Sequence, residues 1–351
     1  MRILIATDAW RPQVNGVVST LEHMTEAGRR LGARFEFLTP EAFWTAPAPT
    51  DPQIRLAVAT SRGVERRVEE IAPDHIHIAT EGPIGWLARR FCVKSRRIFT
   101  TSYHTRFPEY LRARLGVPVG LTYAGLRYFH ARAATVMAPT PSIVAELAAR
   151  RFERVRLWTR GVDHTLFRPR AQSVLDLPRP IFLSVGRLAV EKNLDAFLKL
   201  DLPGSKVIVG DGPARASLCR RYPGAHFLGA LQGEALAAVY ASADVFVFPS
   251  RTDTFGIVLL EAMASGLPVA AFPAPGPVDV VPPKAGALDD DLRAACLHAL
   301  TVSREAARAH ALRYRWEESA RQFLENVEAS RGARIFAPAR KLKLLRGPQN
   351  G

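Results

Sequence analysis

Asp253 and Glu261, with seven residues between them, lie in the stretch PSRTDTFGIVLLEAMASGLPVAAF, residues 249–272. Glu261 falls in an otherwise apolar run, IVLLEAMA, where an unpaired carboxylate is costly. Ribose hydroxyls would satisfy it, and so would an Arg or Lys elsewhere in the chain. Over eight residues a helix turns through about 800°, roughly 80° past two full turns, so two acids on one helix would not share a face. With Asp253 in the loop and Glu261 on the helix, they would instead reach opposite ends of an extended ligand.

Two cations accompany the acids. Val185-Gly186-Arg187 closes an apolar run and Glu191-Lys192-Asn193 opens a helical one, which puts Arg187 and Lys192 at one edge. A pair of cations beside a helix start suits a diphosphate, whose charge must be neutralised before it leaves. The alternative is that Glu191 pairs with one of them as surface decoration. Gly210-Asp211-Gly212-Pro213 either leaves room for a ligand or simply turns the chain. In the loop Trp10–Val17, Gly16 permits close backbone approach and the following helix start offers N–H groups to an anion. His104, in Thr101-Ser102-Tyr103-His104-Thr105, and Glu81-Gly82-Pro83 each follow a strand-like run, although a lone histidine is commonly structural. No GxGxxG or GxxxxGK[ST] loop, GxSxG elbow, nucleophile–base pair or metal-ligand spacing occurs. The sum is a two-domain protein whose cleft binds an anionic, phosphorylated ligand without a fixed metal.

The elements that must position these residues alternate. Strands are expected over residues 2–7, 34–39, 75–79, 97–101 and 135–138, with helices over 16–31, 62–71, 120–134 and 142–151. Short apolar strands between amphipathic helices indicate a parallel sheet covered on both faces. Residues 167–180 hold three prolines and read as a linker. The alternation then restarts: strands at 181–185, 206–209, 227–228, 245–248 and 269–272, with a helix in each interval. The fold class is therefore α/β, with one domain over 1–168, a second over 169–330 and a basic tail over 331–351. The helix at 316–330 is expected to pack back on the first domain. In open parallel sheets ligands collect at the C-terminal strand edge, where every residue named above falls.

The net charge is +15. Residues 1–168 carry 25 Lys or Arg against 15 acids, and residues 169–351 carry 23 against 18, so the excess is +10 and +5. Such a first domain would meet an anionic lipid surface. No zinc-finger spacing or interleaved aromatic and basic pattern supports nucleic acid, and none is expected as a partner. An arginine-rich composition by itself would also give much of this charge. The tail holds six basic residues and no acid. Cys92, Cys219 and Cys296 are isolated, the chain begins directly with a strand, and no apolar run is long enough to span a bilayer. These features lead to the expectation of a cytoplasmic protein, touching the inner face of the cytoplasmic membrane.

In order along the chain, PQVNGV (12–17), SYHT (102–105), RGVD (160–163), VGRLAVEKN (185–193), GDGP (210–213) and TDTFGIVLLEAMASGLPV (252–269) resemble the retaining GT-B glycosyltransferases of family 4. The closest likeness is to the bacterial glycolipid-forming and mannosyl-transferring branch, and it covers the chain except the tail. The resemblance implies two Rossmann-like domains facing across a cleft and a nucleoside-diphosphate sugar as donor, with no further cofactor and no metal. It implies that the backbone at Asn15-Gly16 and the side chains of Arg187 and Lys192 hold the donor diphosphate, with Gly212 nearby. Glu261 would bind the ribose. Asp253 and the backbone of Phe255, Gly256 and Ile257 would hold the sugar, and His104 would contact it near the reacting centre. His104, Arg187, Lys192 and Asp253 are the expected catalytic set. One position departs from the pattern: Asp253 stands where the family usually has Glu.

The implied reaction moves a sugar from a UDP-glucose, UDP-glucuronate or GDP-mannose type donor to an acceptor hydroxyl with retention. A membrane lipid such as diacylglycerol is the expected acceptor, and a soluble or polysaccharide-precursor acceptor is the alternative. Two rivals share the architecture. A nucleotide-sugar epimerase would place acid–base groups around the sugar carbon, and GDGP with TDTFG fits it poorly. A non-catalytic binding protein would take the donor and transfer nothing.

Overall fold

The computed structural model describes residues 1–13, 15–48 and 51–333. Its strands are β1 (Arg2–Ala6), β2 (Arg34–Leu38), β3 (Trp44–Ala48), β4 (Asp51–Val58), β5 (His75–Ile78), β6 (Phe99–Ser102), β7 (Thr135–Ala138) and β8 (Val155–Leu157). They continue as β9 (Ile181–Val185), β10 (Ser205–Val209), β11 (His226–Gly229), β12 (Val245–Phe248), β13 (Val269–Ala271) and β14 (Gly286–Leu288). Two six-stranded sheets result, ordered β2-β1-β5-β6-β7-β8 and β11-β10-β9-β12-β13-β14. All pairs within them are parallel, and β3 and β4 form a separate antiparallel hairpin.

Strands β1, β9 and β12 are largely apolar because both faces of each sheet are covered, while β5 and β6 bury His75, His77, Thr100 and Ser102, which hydrogen-bond one another. Along β1, Ile3 and Ile5 pack against Leu21 and Met24 of the helix Gly16–Arg30, while Leu4 and Ala6 face Val64, Ile84 and Ala88 on the opposite side. Along β9, Ile181 and Leu183 join one core and Phe182 the other. The period of two on a doubly buried strand accounts for both patterns. No helix or strand lies between Leu157 and Ile181, where the linker was expected.

The helix Trp316–Ser330 follows the second sheet in sequence but packs on the first. Phe323 and Val327 share a core with Ile3 and Ile5, and the indole N–H of Trp158 donates to Ser319 O at 3.1 Å. This is the GT-B arrangement of two Rossmann-like units.

Some elements differ from the sequence reading. The helices Pro83–Lys94 and Phe107–Leu115 begin at prolines or one residue before them, and prolines also mark turns. A proline in a helix's first turn loses no hydrogen bond, so both helices form. The helix expected over 120–134 ends at His130, and Ala134 N already bonds Phe99 O in preparation for β7. Three further helices, Pro277–Val280, Leu292–Ala299 and Arg304–Ala311, complete the second unit. Most of the basic tail, residues 334–351, lies outside the described residues.

Candidate active site in the interdomain cleft

The C-terminal ends of β1, β6, β9, β10 and β12 lead into the segments that carry Gly16, His104, Arg187, Gly212 and Asp253. Direct contacts bring the two edges together. Thr254 Oγ1 donates to His104 O at 2.6 Å, and Arg106 Nη1 donates to Arg251 O at 3.4 Å. Arg114 Nη2 meets Glu191 Oε1 at 2.5 Å. Asp279 accepts from the backbone N–H of Ser142 at 3.2 Å and from its hydroxyl, at the start of the helix Pro141–Ala149. A carboxylate there is favoured by the helix dipole. Gly16 faces Ile257, whose Cδ1 would lie 3.8 Å from a Cβ at residue 16.

Lys192 and Asp253 form an ion pair, Nζ to Oδ1 at 2.5 Å, with 23% and 15% of their side chains exposed. Burial pulls the Lys192 ammonium down, yet Asp253, with Tyr110 and Glu191 adding to it, holds it above the ordinary lysine value. Asp253 Oδ2 is buried and has no hydrogen-bond partner among the described residues. Arg187 stands just beyond β9, and the GDGP turn packs directly beneath it. A Cβ on Gly210, at φ +140°, would sit 1.9 Å from Gly186 O, and one on Gly212, at φ +153°, would sit 2.5 Å from Leu188 O.

Glu261 lies within the helix Ile257–Ala264 and accepts from Tyr240 Oη at 3.0 Å. Burial pushes its carboxyl up to about 7, against the Tyr240 hydrogen bond, which lowers it. The expected partner was a cation or ribose; the partner found is a buried tyrosine. Phe255 is 4% exposed, its ring buried in a core of the second unit. Gly256 occupies the N-cap position of the same helix. Ile257 packs against the cores of both units. Asn15 caps the helix Gly16–Arg30, its Oδ1 accepting from Val17 N and Val18 N at 3.0 Å each. An anion at this end would therefore meet the Asn15 and Gly16 N–H groups.

His104 Nδ1 is 3.1 Å from Arg160 Nη2, and its ring stands edge-on to Trp158. Burial first, then Arg160 and His77, hold this imidazole well below the ordinary histidine value, so it is neutral. Glu191, weighed from sequence as a partner of a nearby cation, pairs with Arg114 across the cleft. Arg160, Arg114, Tyr240, Thr254 and the Ser142–Asp279 pair were not singled out from sequence. Of these, Arg160 and Thr254 carried a signal, their places in RGVD and in TDTFG. Among the described residues, no group of three or more His, Cys, Asp or Glu is placed to hold a metal ion.

Residues 14–166 match the family model described as Glycosyltransferase Family 4, and residues 179–301 match Glycosyl transferases group 1. A GDP-mannose-dependent alpha-mannosyltransferase of Mycolicibacterium smegmatis is 34% identical, over 97% of this chain and 100% of its own length. The chain belongs to glycosyltransferase family 4. Other likenesses extend beyond mannose. Sulfoquinovosyl transferase SQD2 of Arabidopsis thaliana is 33% identical over 69% of this chain and 52% of its own length. The same GT-B fold occurs in sucrose-phosphate synthase from Thermosynechococcus elongatus, with a TM-score of 0.75 at 21% identity over 93% of this chain and 98% of that one.

Proposed function

We propose that this family 4 glycosyltransferase moves a hexose, with retention, from a nucleoside-diphosphate sugar to a hydroxyl of a membrane lipid. GDP-mannose is the favoured donor, given the full-length 34% identity to a protein named for it. Arg187 and Lys192 neutralise the donor diphosphate, Glu261 accepts from the ribose, and Asp253 with the 255–257 backbone holds the sugar. The acceptor hydroxyl attacks the anomeric carbon from the face that the diphosphate leaves, and a departing phosphate oxygen takes its proton. Closing the cleft excludes water that would hydrolyse the donor.

The single observation that carries this reading is the Lys192–Asp253 pair, set beside the Thr254–His104 contact where the two sheet edges meet. The lipid acceptor is supported by the +10 charge of residues 1–168. It is also supported by the helices Phe107–Leu115 and Val119–His130, which expose Phe107, Leu115, Leu121 and Tyr128 alongside Arg112 and Arg127. Apolar side chains set among cations suit the interface of an anionic bilayer. Among the described residues no helix is long and apolar enough to cross one.

A mass-spectrometric screen of GDP-mannose, UDP-glucose and UDP-glucuronate against a total membrane lipid extract tests donor and acceptor together. The expected product is a lipid heavier by one hexose, formed from GDP-mannose. Transfer only to water-soluble acceptors would remove the lipid reading. Donor binding without transfer or hydrolysis would remove the catalytic one.

The Glu261 environment gives a pH dependence. An ionised carboxylate accepts from two ribose hydroxyls, so donor binding favours loss of a proton that the empty site holds up to about pH 7. The donor KM should therefore rise as pH falls below about 7 and stay flat above it. Glu261→Gln should raise the KM and abolish the slope. Steady-state kinetics between pH 5.5 and 8.5, roughly one and a half units either side of that value, checks the sign. A KM that rises with pH would count against the ribose role.

A further inference from the structure

Arg160 is 3% exposed, and among the described residues it meets no carboxylate. Nη1 donates to the carbonyl oxygens of Trp158 at 2.5 Å and Thr159 at 3.2 Å, and the guanidinium carbon lies 4.4 Å from the Trp158 ring centre. Burial lowers its pKa to about 9, which leaves it protonated at neutral pH. A buried cation without a counter-ion costs stability. Among the described residues, the one side chain to which it donates is His104, Nη2 to Nδ1 at 3.1 Å.

That contact has only one chemical sense. A guanidinium carries donors and no acceptor, so Nδ1 of His104 must accept, and the proton of the neutral ring must sit on Nε2. Nε2 is buried and has no hydrogen-bond partner among the described residues. His104 itself lies where the domains meet, its carbonyl held by Thr254 of the other unit. A directed N–H donor thus remains uncommitted at the cleft.

We propose that Arg160 is a positioning residue that fixes the tautomer of His104, so that Nε2–H is always presented to an oxygen of the donor sugar. The proposal rests on the reading that His104 meets that sugar. It assigns Arg160 no contact with donor or acceptor. Its effect passes through the imidazole, as a carboxylate behind a catalytic histidine selects that ring's tautomer.

The test uses the full chain labelled with nitrogen-15 histidine, and His104→Ala assigns the ring signals. Long-range proton–nitrogen correlation should show His104 protonated at Nε2 and bare at Nδ1. A proton on Nδ1 in the unmodified protein overturns the proposal, whatever any variant does. Arg160→Met should mix the tautomers and lower kcat by about 10²-fold, the scale of removing one preorganised donor. Arg160→Lys keeps a donor for Nδ1 and should retain both the tautomer and most of the rate, which also serves if Arg160→Met does not fold. In a His104→Ala background, Arg160→Met should cost less than about 3-fold more, because the two residues act as one unit. Additive losses would show that Arg160 acts independently and would sink the proposal. Near-normal kcat in His104→Ala would instead remove the reading of His104 on which the proposal depends, while leaving the measured tautomer in place.

Discussion

Lys192→Ala is expected to lower kcat by about 10³-fold at saturating donor, because a cation positioned on a leaving diphosphate acts chiefly in the transition state. The fold should survive. Lys192 and Asp253 both keep partial access to solvent, at 23% and 15%, so water can replace the ammonium beside the carboxylate. Lys192→Arg should restore part of the rate, since it returns the charge with a different reach. The decisive comparison is initial rate against donor concentration for the three proteins, with circular dichroism to confirm folding. A Lys192→Ala enzyme with near-normal turnover would end the assignment of Lys192 to the diphosphate. A raised KM at unchanged kcat would reduce it to ground-state binding.

Gly210→Ala is the substitution expected to cost most in stability. The residue sits at φ +140°, and the added carbon would lie 1.9 Å from the carbonyl oxygen of Gly186. That overlap involves backbone on both sides, so no side chain can rotate away from it. The turn is also bonded in place: Gly186 N donates to Val209 O at 3.0 Å, Gly210 N to Gly229 O at 2.7 Å and Leu188 N to Asp211 O at 2.9 Å. Strain and overlap together should cost at least about 3 kcal/mol. Gly224→Ala, where the added carbon meets nothing within 4 Å, is the control and should fall within about 0.5 kcal/mol of the parent. Urea unfolding midpoints measure both. Donor affinity should fall in Gly210→Ala as well, because the displaced carbonyl belongs to the residue before Arg187. Equal midpoints for the two variants would show that the turn is not packed in this way.

Strands such as β1 and β12 were legible because burial on both sheet faces makes them largely apolar. The helices at residues 83–94 and 107–115 were not, since a proline that opens a helix looks like one that turns the chain. The residues proposed for the donor were named from their positions after strands, and the structure brings two of them, Lys192 and Asp253, into direct contact. Their partners could not be read, because pairing is decided by geometry across the cleft. Glu191 has two cations within four residues, yet it also pairs with Arg114, 77 positions away. Glu261 pointed to a charge or a ribose, and a tyrosine 21 positions upstream holds it. Local sequence reports which groups a strand end carries. It does not report which of them the opposite domain will meet.

The chain passes between the domains twice, and the two passages touch. Val162 N bonds Tyr314 O at 3.2 Å, and a Cβ on Gly161 would lie 2.5 Å from Trp316 N. Two strands of chain pinned at one spot behave as a pivot: they allow the domains to rotate and resist sliding. Displacement in such a lever grows with distance from the fulcrum. Residues beside it, Arg160 among them, would hold their surroundings nearly constant while the mouth opens. The Arg114–Glu191, Ser142–Asp279, Thr254–His104 and Arg106–Arg251 contacts lie on the far side of that pivot, and any rotation that opened the mouth would have to part them.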